Sequence, residues 1–331
     1  MKGKKAGVVL GYVAMVFQSL ISFFLTPFML GALGSSEYGV YRLVLSITAY
    51  FALADLGLSN AAVRYVSEYR ARGDKESEGR FVALMLLVDT ITGLALVAAA
   101  AAFYYFIPGV FRNSFSGGEV RLLQQLFILL VFNGVLSLVL NLTTGVMKSY
   151  GEFGLLKVVD IVRNLIRVFS VVLLLLLGYR AFAVVLVDAL LTCITLILTI
   201  AHCTKKLNVR PNFKLLTCSF AREVLSYSLI VFVEVLAFQL FNSADMVIIG
   251  IKISSAAVAI YSIGITISSL FFSLSVVISD VLMPDVVLQV SEGASSEQLT
   301  DYMVKIGRIK LLTLGLPTVG FAFLGKSFIT L

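Results

Sequence analysis

The chain has 331 residues, of which 59% are hydrophobic and only 14% are charged. A soluble domain carries about 25% charged residues, so this composition excludes an ordinary water-soluble globule and places most of the chain in lipid. The formal charge of +7 does not indicate a nucleic-acid binder, because the basic residues are dispersed between apolar runs and line no single groove.

A helix needs about 20 apolar residues to cross a bilayer. In chain order, runs of that length predict an all-α, polytopic membrane helix bundle of about nine transmembrane helices: 6–30, 40–62, 81–107, 121–147, 154–177, 181–202, 223–250, 256–282 and 307–327. The first run follows Met1-Lys2-Gly3-Lys4-Lys5. It is longer than the 7–15 residues or so of a signal-peptide apolar region, which predicts a retained span. The loops then alternate in charge. Lys2, Lys4, Lys5, Arg64, Arg70, Arg72, Lys75, Arg80, Lys148, Lys157, Lys205, Lys206, Arg210, Lys214, Arg222, Lys305, Arg308 and Lys310 fall on one side. Only Arg112, Arg121, Arg180, Lys252 and Lys326 fall on the other. This is the positive-inside pattern. It predicts a multi-pass protein of the cytoplasmic (inner) membrane with its N-terminus in the cytoplasm.

The six spans of 1–205 are expected to form an N-terminal lobe, with 206–222 a cytoplasmic linker and 223–331 a partial C-terminal lobe of three helices. A weak repeat supports this. Gly34–Tyr41 (GSSEYGVY) is similar to Ser254–Tyr261 (SSAAVAIY), at an offset of 220 residues. Six intervening spans is an even number, so the halves share one orientation about a pseudo-two-fold axis along the membrane normal. On that reading a complete second half extends beyond residue 331, and the chain is a fragment.

Polar residues inside spans are costly and tend to face protein or water. Span 154–177 carries Asp160, Arg163, Asn164 and Arg167 at steps of three and four, hence on one helical face. Arg163, Asn164 and Arg167, with Arg42 of the second span, are the candidate substrate-binding residues, as a cationic wall for a phosphate-bearing ligand. The structural alternatives are an interhelical ion pair for Arg167 and snorkelling for Arg42. Arg167 has no acid nearby in sequence, so its partner is another helix, water or a ligand anion. Further stripes run along other spans: Asp188, Thr192, Thr195, Thr199 and His202; Asn133, Ser137, Asn141, Thr144 and Lys148; and Gln18, Ser22 and Thr26. Each reads as helix–helix glue or, taken together, as the lining of a hydrated cavity. Pro27 and Pro317 lie within spans and are candidate kinks. Asp89, Asp188 and Glu234 are candidate ion-coupling carboxylates, for a proton or sodium gradient.

Other chemistry is excluded by what the sequence lacks. No Gly-rich phosphate loop with a following Lys-Ser/Thr is present. His202 is the only histidine, and Cys193, Cys203 and Cys218 lack metal-ligand spacing. No nucleophile–base constellation and no large outer loop is present to house an enzyme. The expectation is therefore a non-enzyme without cofactor, catalytic residues or metal.

The segments Thr26-Pro27-Phe28-Met29-Leu30, Leu33-Gly34, Glu37-Tyr38-Gly39-Val40-Tyr41, Asp55-Leu56-Gly57-Leu58 and Arg64-Tyr65 carry a resemblance to a known family. Asn242–Gly250 and Val258–Tyr261 extend it. The chain resembles the polysaccharide exporter and O-antigen flippase family of the multidrug/oligosaccharidyl-lipid/polysaccharide superfamily. Members have twelve or fourteen helices in two lobes around a central cavity. The resemblance implies a flippase that carries an undecaprenyl-diphosphate-linked oligosaccharide outward by alternating access, for surface polysaccharide such as the O-antigen of lipopolysaccharide. It implies as partners the lipid-linked oligosaccharide, membrane lipids and a glycan polymerase or glycosyltransferases, with no nucleic acid. Moving a diphosphate-sugar head unaided through hydrocarbon would cost tens of kcal/mol, whereas an Arg-lined cleft replaces its water with paired donors. The competing readings are a cation-coupled multidrug antiporter of the same superfamily and a non-transporting scaffold of a glycan-assembly complex.

Overall fold

The structure, a computed structural model, describes the backbone of residues 2–213, 216–291, 293 and 295–330. Side chains are described for these residues except 2–20, 22–23, 60, 218–219, 223, 227, 229–231, 274, 276–291, 316–317, 322 and 324–330. Lys2, Lys4, Lys5, Gln18, Ser22, Lys214, Cys218, Pro317 and Lys326 from the sequence reading therefore lie outside the described side chains.

Among the described residues all regular structure is helical. The elements are α1 (Lys2–Ala49), a 3-10 turn (Tyr50–Asp55), α2 (Leu58–Arg72), α3 (Lys75–Phe111), α4 (Gly117–Ser149), α5 (Phe153–Leu176), α6 (Ala181–Lys205), α7 (Cys218–Lys252), α8 (Ser255–Ser291) and α9 (Ser296–Thr330). Five stretches are long and apolar enough to cross a membrane: Lys75–Phe111, Gly117–Ser149, Ala181–Lys205, Phe232–Lys252 and Ser255–Ser273. Helix α5 has the length, at 24 residues, but it carries Lys157, Asp160, Arg163 and Arg167.

The second expected span, 40–62, is not one helix. α1 is broken at Gly34 (φ 78°, ψ 163°), a conformation closed to residues with a Cβ. Pro27 lies inside α1, yet the break falls at Gly34. After Ala49 the chain tightens into the 3-10 turn, then passes through two left-handed residues, Leu56 (φ 50°) and Gly57 (φ 73°), before α2 starts. The Asp-Leu-Gly segment thus interrupts the helix without reversing the chain, since Ser36, Phe51 and Ala62 lie against Glu119, Gly134 and Gly145 in order along α4. Apolar run length does not report such a break, because the residues on both sides remain hydrophobic.

Local capping fixes the other ends. Gly73 (φ 71°) closes α2, with Gly73 N–H donating to Arg70 O at 3.1 Å and Asp74 N–H to Tyr69 O at 2.9 Å. Asp74 then caps α3 by accepting from Ser77 N–H at 2.9 Å. Ser116 and Glu119 form a reciprocal capping box at the start of α4.

Two compact units are present. The first comprises Met1–Ala14 and Phe24–Ile263. Its core packs Leu58, Tyr65 and Val66 of α2 against Phe81 and Met85 of α3, Val146 and Met147 of α4, and Phe220 and Val224 of α7. The Tyr65 and Phe81 rings stack with centroids 5.4 Å apart. The second comprises Met15–Phe23 and Gly264–Leu331. There Phe271 of α8 meets Phe321 of α9 edge to face at 6.5 Å, and Ser295 and Gln298 cap α9 reciprocally.

One long-range contact within the first unit joins α1 to α8. Arg42 Nη2 donates to the carbonyl of Ser262 at 3.5 Å, and the two residues are 220 apart.

Candidate functional site

Helices α5 and α6 are antiparallel around the turn at Gly178 (φ 86°), so residues nearly equally far from that turn face each other. Three rungs follow. Nearest the turn, Arg167 Nε donates to Asp188 Oδ1 at 2.5 Å and its Nη2 to Asp188 Oδ2 at 3.1 Å, a fork-to-fork ion pair. One turn on, Arg163 Nη2 donates to Thr192 Oγ1 at 2.8 Å. At the far end His202 Nε2 lies 3.6 Å from Glu152.

The second segment of α1 completes the seam. Tyr41 is buried, and Arg167 Nη2 donates to its hydroxyl at 3.4 Å. The neighbouring Arg42 is half-buried. One of its donors reaches Ser262, while its Nε is buried without a hydrogen-bond partner among the described residues. Asn164 is half-buried beside Arg163.

The structure orders the expected residues unevenly. Arg167, which lacked a local acid in sequence, is the most committed, because Asp188 across the hairpin takes both arms of its fork. Asp188 is correspondingly the base of that ion pair. Arg163 spends one donor on a neutral hydroxyl. Asp160 is exposed and pairs with Lys157 at 3.9 Å rather than with Arg163. Glu234 is exposed on α7, within the apolar stretch Phe232–Lys252. Asp89 is 4% exposed, and neither carboxyl oxygen has a hydrogen-bond partner among the described residues.

The other stripes divide. Thr195 and Thr199 are buried, and Thr199 Oγ1 meets Thr143 Oγ1 of α4 at 3.0 Å. That part of the α6 stripe joins α4 to α6 instead of lining a cavity. Ser137 and Thr144 donate back to carbonyls of their own helix, at Asn133 and Asn141. The open groove of about 290 Å³ between α3 and α4 is lined by apolar residues such as Val97, Ala100 and Ile128 with Tyr104 and Tyr105. It contains no charged group and lies apart from the seam.

Sequence reasoning missed the work of the GSSEYG segment. Glu37 caps α6, accepting from Ala181 N–H at 2.7 Å and from Arg180 Nε at 2.7 Å. Ser36 Oγ donates to Glu119 Oε1 at 2.6 Å, and Ser255 donates to the same oxygen. Gly39 lies against Ser255 so closely that a Cβ there would fall 1.8 Å from its carbonyl oxygen. These contacts hold the Tyr41–Arg42 segment at the end of the α5–α6 hairpin. Their signal in sequence was a glycine and a carboxylate inside a short polar motif entering an apolar run.

Comparison with known proteins follows the same line. Residues 5–286 match the profile of the family described as "Polysaccharide biosynthesis protein". Among curated proteins, the uncharacterized membrane protein EpsK of Bacillus subtilis (strain 168) is 23% identical over 327 residues, covering 96% of this chain and 63% of that protein. The chain thus spans less than two thirds of that relative. Among solved structures, a MOP superfamily transporter from Pyrococcus furiosus Vc1 (DSM3638) superposes with a TM-score of 0.63 at 16% identity, over 96% of this chain and 71% of that one. An inward-facing multidrug resistance MATE family transporter of the MOP superfamily gives 0.64 at 16% identity, over 92% and 72%. These likenesses show the fold.

Proposed function

The chain belongs to the polysaccharide biosynthesis protein family, and on that premise we propose that it is part of a flippase that moves a lipid-linked oligosaccharide, of the undecaprenyl-diphosphate type, across the cytoplasmic membrane. The observation that carries this reading is the charge of the seam. Three guanidiniums, of Arg42, Arg163 and Arg167, are set along it, and among the described residues only Asp188 neutralises one of them by a direct ion pair. A net positive, half-buried seam favours an anion. Arg42 and Arg163 retain unused donors in the fork geometry that suits phosphate. They are the contacts for the diphosphate, with Asn164 beside them for the sugar, while Arg167 is held by Asp188 and positions Tyr41.

The multidrug antiporter reading has the MATE likeness in its favour. A receptor for cationic drugs calls for an acidic wall, and this wall is basic. The Pyrococcus furiosus relative is itself described as having a binding pocket of reverse polarity that suggests a different function. Pocket sign is therefore the property to test in this architecture. Outward translocation and the named partners, a glycan polymerase or glycosyltransferases, belong to the same proposal.

The test reconstitutes the protein in proteoliposomes with a fluorescent polyprenyl-diphosphate oligosaccharide in one arm and a cationic dye in the other. Arg163→Ala and Arg42→Ala are each expected to lower flipping at least about tenfold, the loss of one charge-assisted pair. Lys at either position is expected to restore it only in part. Undiminished flipping in both alanine variants would remove the seam from the mechanism. Dye transport without flipping would establish the antiporter, and lipid binding without flipping in either arm would establish the scaffold.

A further inference from the structure

The apolar groove of about 290 Å³ between α3 and α4 lies away from the guanidinium seam. Its origin is in the sequence. Residues 98–102 are five consecutive alanines, whose methyl groups are too small to fill the space between two helices. Ala100 is buried at its floor, while Val97, Tyr105 and Ile128 on its rim are exposed. Both helices are long and apolar enough to cross a membrane, so the groove opens to hydrocarbon. A chain of methylenes fills such a space, where water finds no hydrogen-bond partners.

Both walls end in an arginine. On α4, Arg121, Gln124, Ile128 and Val131 recur at helical spacing and share one face. On α3, Ala101, Tyr105 and the C-terminal Arg112 do the same. Gln124 Nε2 donates to the carbonyl of Tyr104 at 3.4 Å, which ties the walls together. Arg121 lies about one turn, and Arg112 about two turns, beyond that contact. Both arginines are exposed, and among the described residues neither is in an ion pair. Arg180, expected on the same side of the membrane, pairs with Glu37. Glu119, the acid closest to Arg121 in sequence, is two residues off on another face and is taken by Ser36, Ser116 and Ser255. The positive-inside pattern disfavours basic residues on this side. Two unpaired guanidiniums at the mouth of an apolar groove call for an anionic head above a buried chain.

We infer that the α3–α4 groove binds one anionic phospholipid of the surrounding bilayer, with an acyl chain against Ala101 and Ile128, its phosphate on Arg121, and Arg112 above. The guanidinium fork pairs with phosphate oxygens, and the chain supplies the packing that the alanines leave out. This site does not rest on the flippase reading.

The test is native mass spectrometry of the purified protein in detergent, titrated in parallel with phosphatidylglycerol, zwitterionic phosphatidylcholine and a polyprenyl diphosphate. Phosphatidylglycerol is expected to be retained at a concentration about tenfold lower than phosphatidylcholine, the gain of one charge-assisted contact. Arg112→Gln combined with Arg121→Gln, both at exposed positions, is expected to bring phosphatidylglycerol down to the phosphatidylcholine level. Ala101→Phe, which fills the groove, is expected to weaken both, and Ile128→Trp serves if that variant does not fold. Equal retention of the two phospholipids by the wild type, or a phosphatidylglycerol preference that survives loss of both arginines, would overturn the proposal. So would tighter retention of the polyprenyl diphosphate with the same dependence on Arg121, which would give the groove to the transported lipid.

Discussion

At the scale of single residues, the Arg167–Asp188 pair is the most informative contact, because each side chain is expensive in a bilayer alone and acceptable together. Arg167→Ala leaves Asp188 uncompensated and is expected to destabilise the protein by about 3 kcal/mol. It should lower the melting temperature and the yield of monodisperse material. Arg167→Ala with Asp188→Ala is expected to recover most of that loss, since no orphan charge remains. A double variant no more stable than the single one would mean that the pair carries little of the stability of the α5–α6 hairpin. The sequence placed Arg163, Asn164 and Arg167 on one face through helical spacing alone. It did not reveal that Asp188, read separately as an ion-coupling candidate, is the partner, because that contact depends on the register of two helices about Gly178.

At the scale of elements, the second segment of α1 is seated by close approach instead of by bulk. A Cβ at Gly39 would overlap the Ser255 carbonyl oxygen at 1.8 Å, where backbone meets backbone and no side chain is free to retreat. Gly39→Ala is expected to cost about 3 kcal/mol and to weaken the contacts of Glu119 with Ser36 and Ser255. Gly31→Ala, on the first segment of the same helix with nothing within 4 Å, is expected to be neutral or to stabilise by up to about 1 kcal/mol. Equal melting temperatures for the two variants would show that the approach at Gly39 yields without penalty. Here the sequence marked the glycine through a motif. It also read a continuous span across 40–62, because hydropathy is blind to the backbone break at Leu56–Gly57.

At the scale of the whole molecule, the basic loops make a prediction that needs no contact at all. With Cys193, Cys203 and Cys218 replaced by serine, a cysteine at Lys206 is expected to react with a membrane-impermeant maleimide only in inverted vesicles. A cysteine at Asn113 is expected to react only in intact cells. Labelling of both from one side, or the reverse pattern, would overturn the orientation read from the charges. The contact of Arg42 with Ser262 at the repeat offset belongs to this scale too.

Hydropathy, charge alternation and helical spacing are local or additive along the chain. By themselves they determined an all-helical membrane protein and the face on which its arginines lie, while the family was legible only in short motifs such as Glu37–Tyr41 and Asp55–Leu58. Which arginine is neutralised, which threonines join helices and which carboxylate is left without a partner depend on distances between residues 20 to 220 positions apart. Only tertiary packing sets those distances, because the bilayer's demand for paired polar groups is met by whichever helix the fold brings alongside.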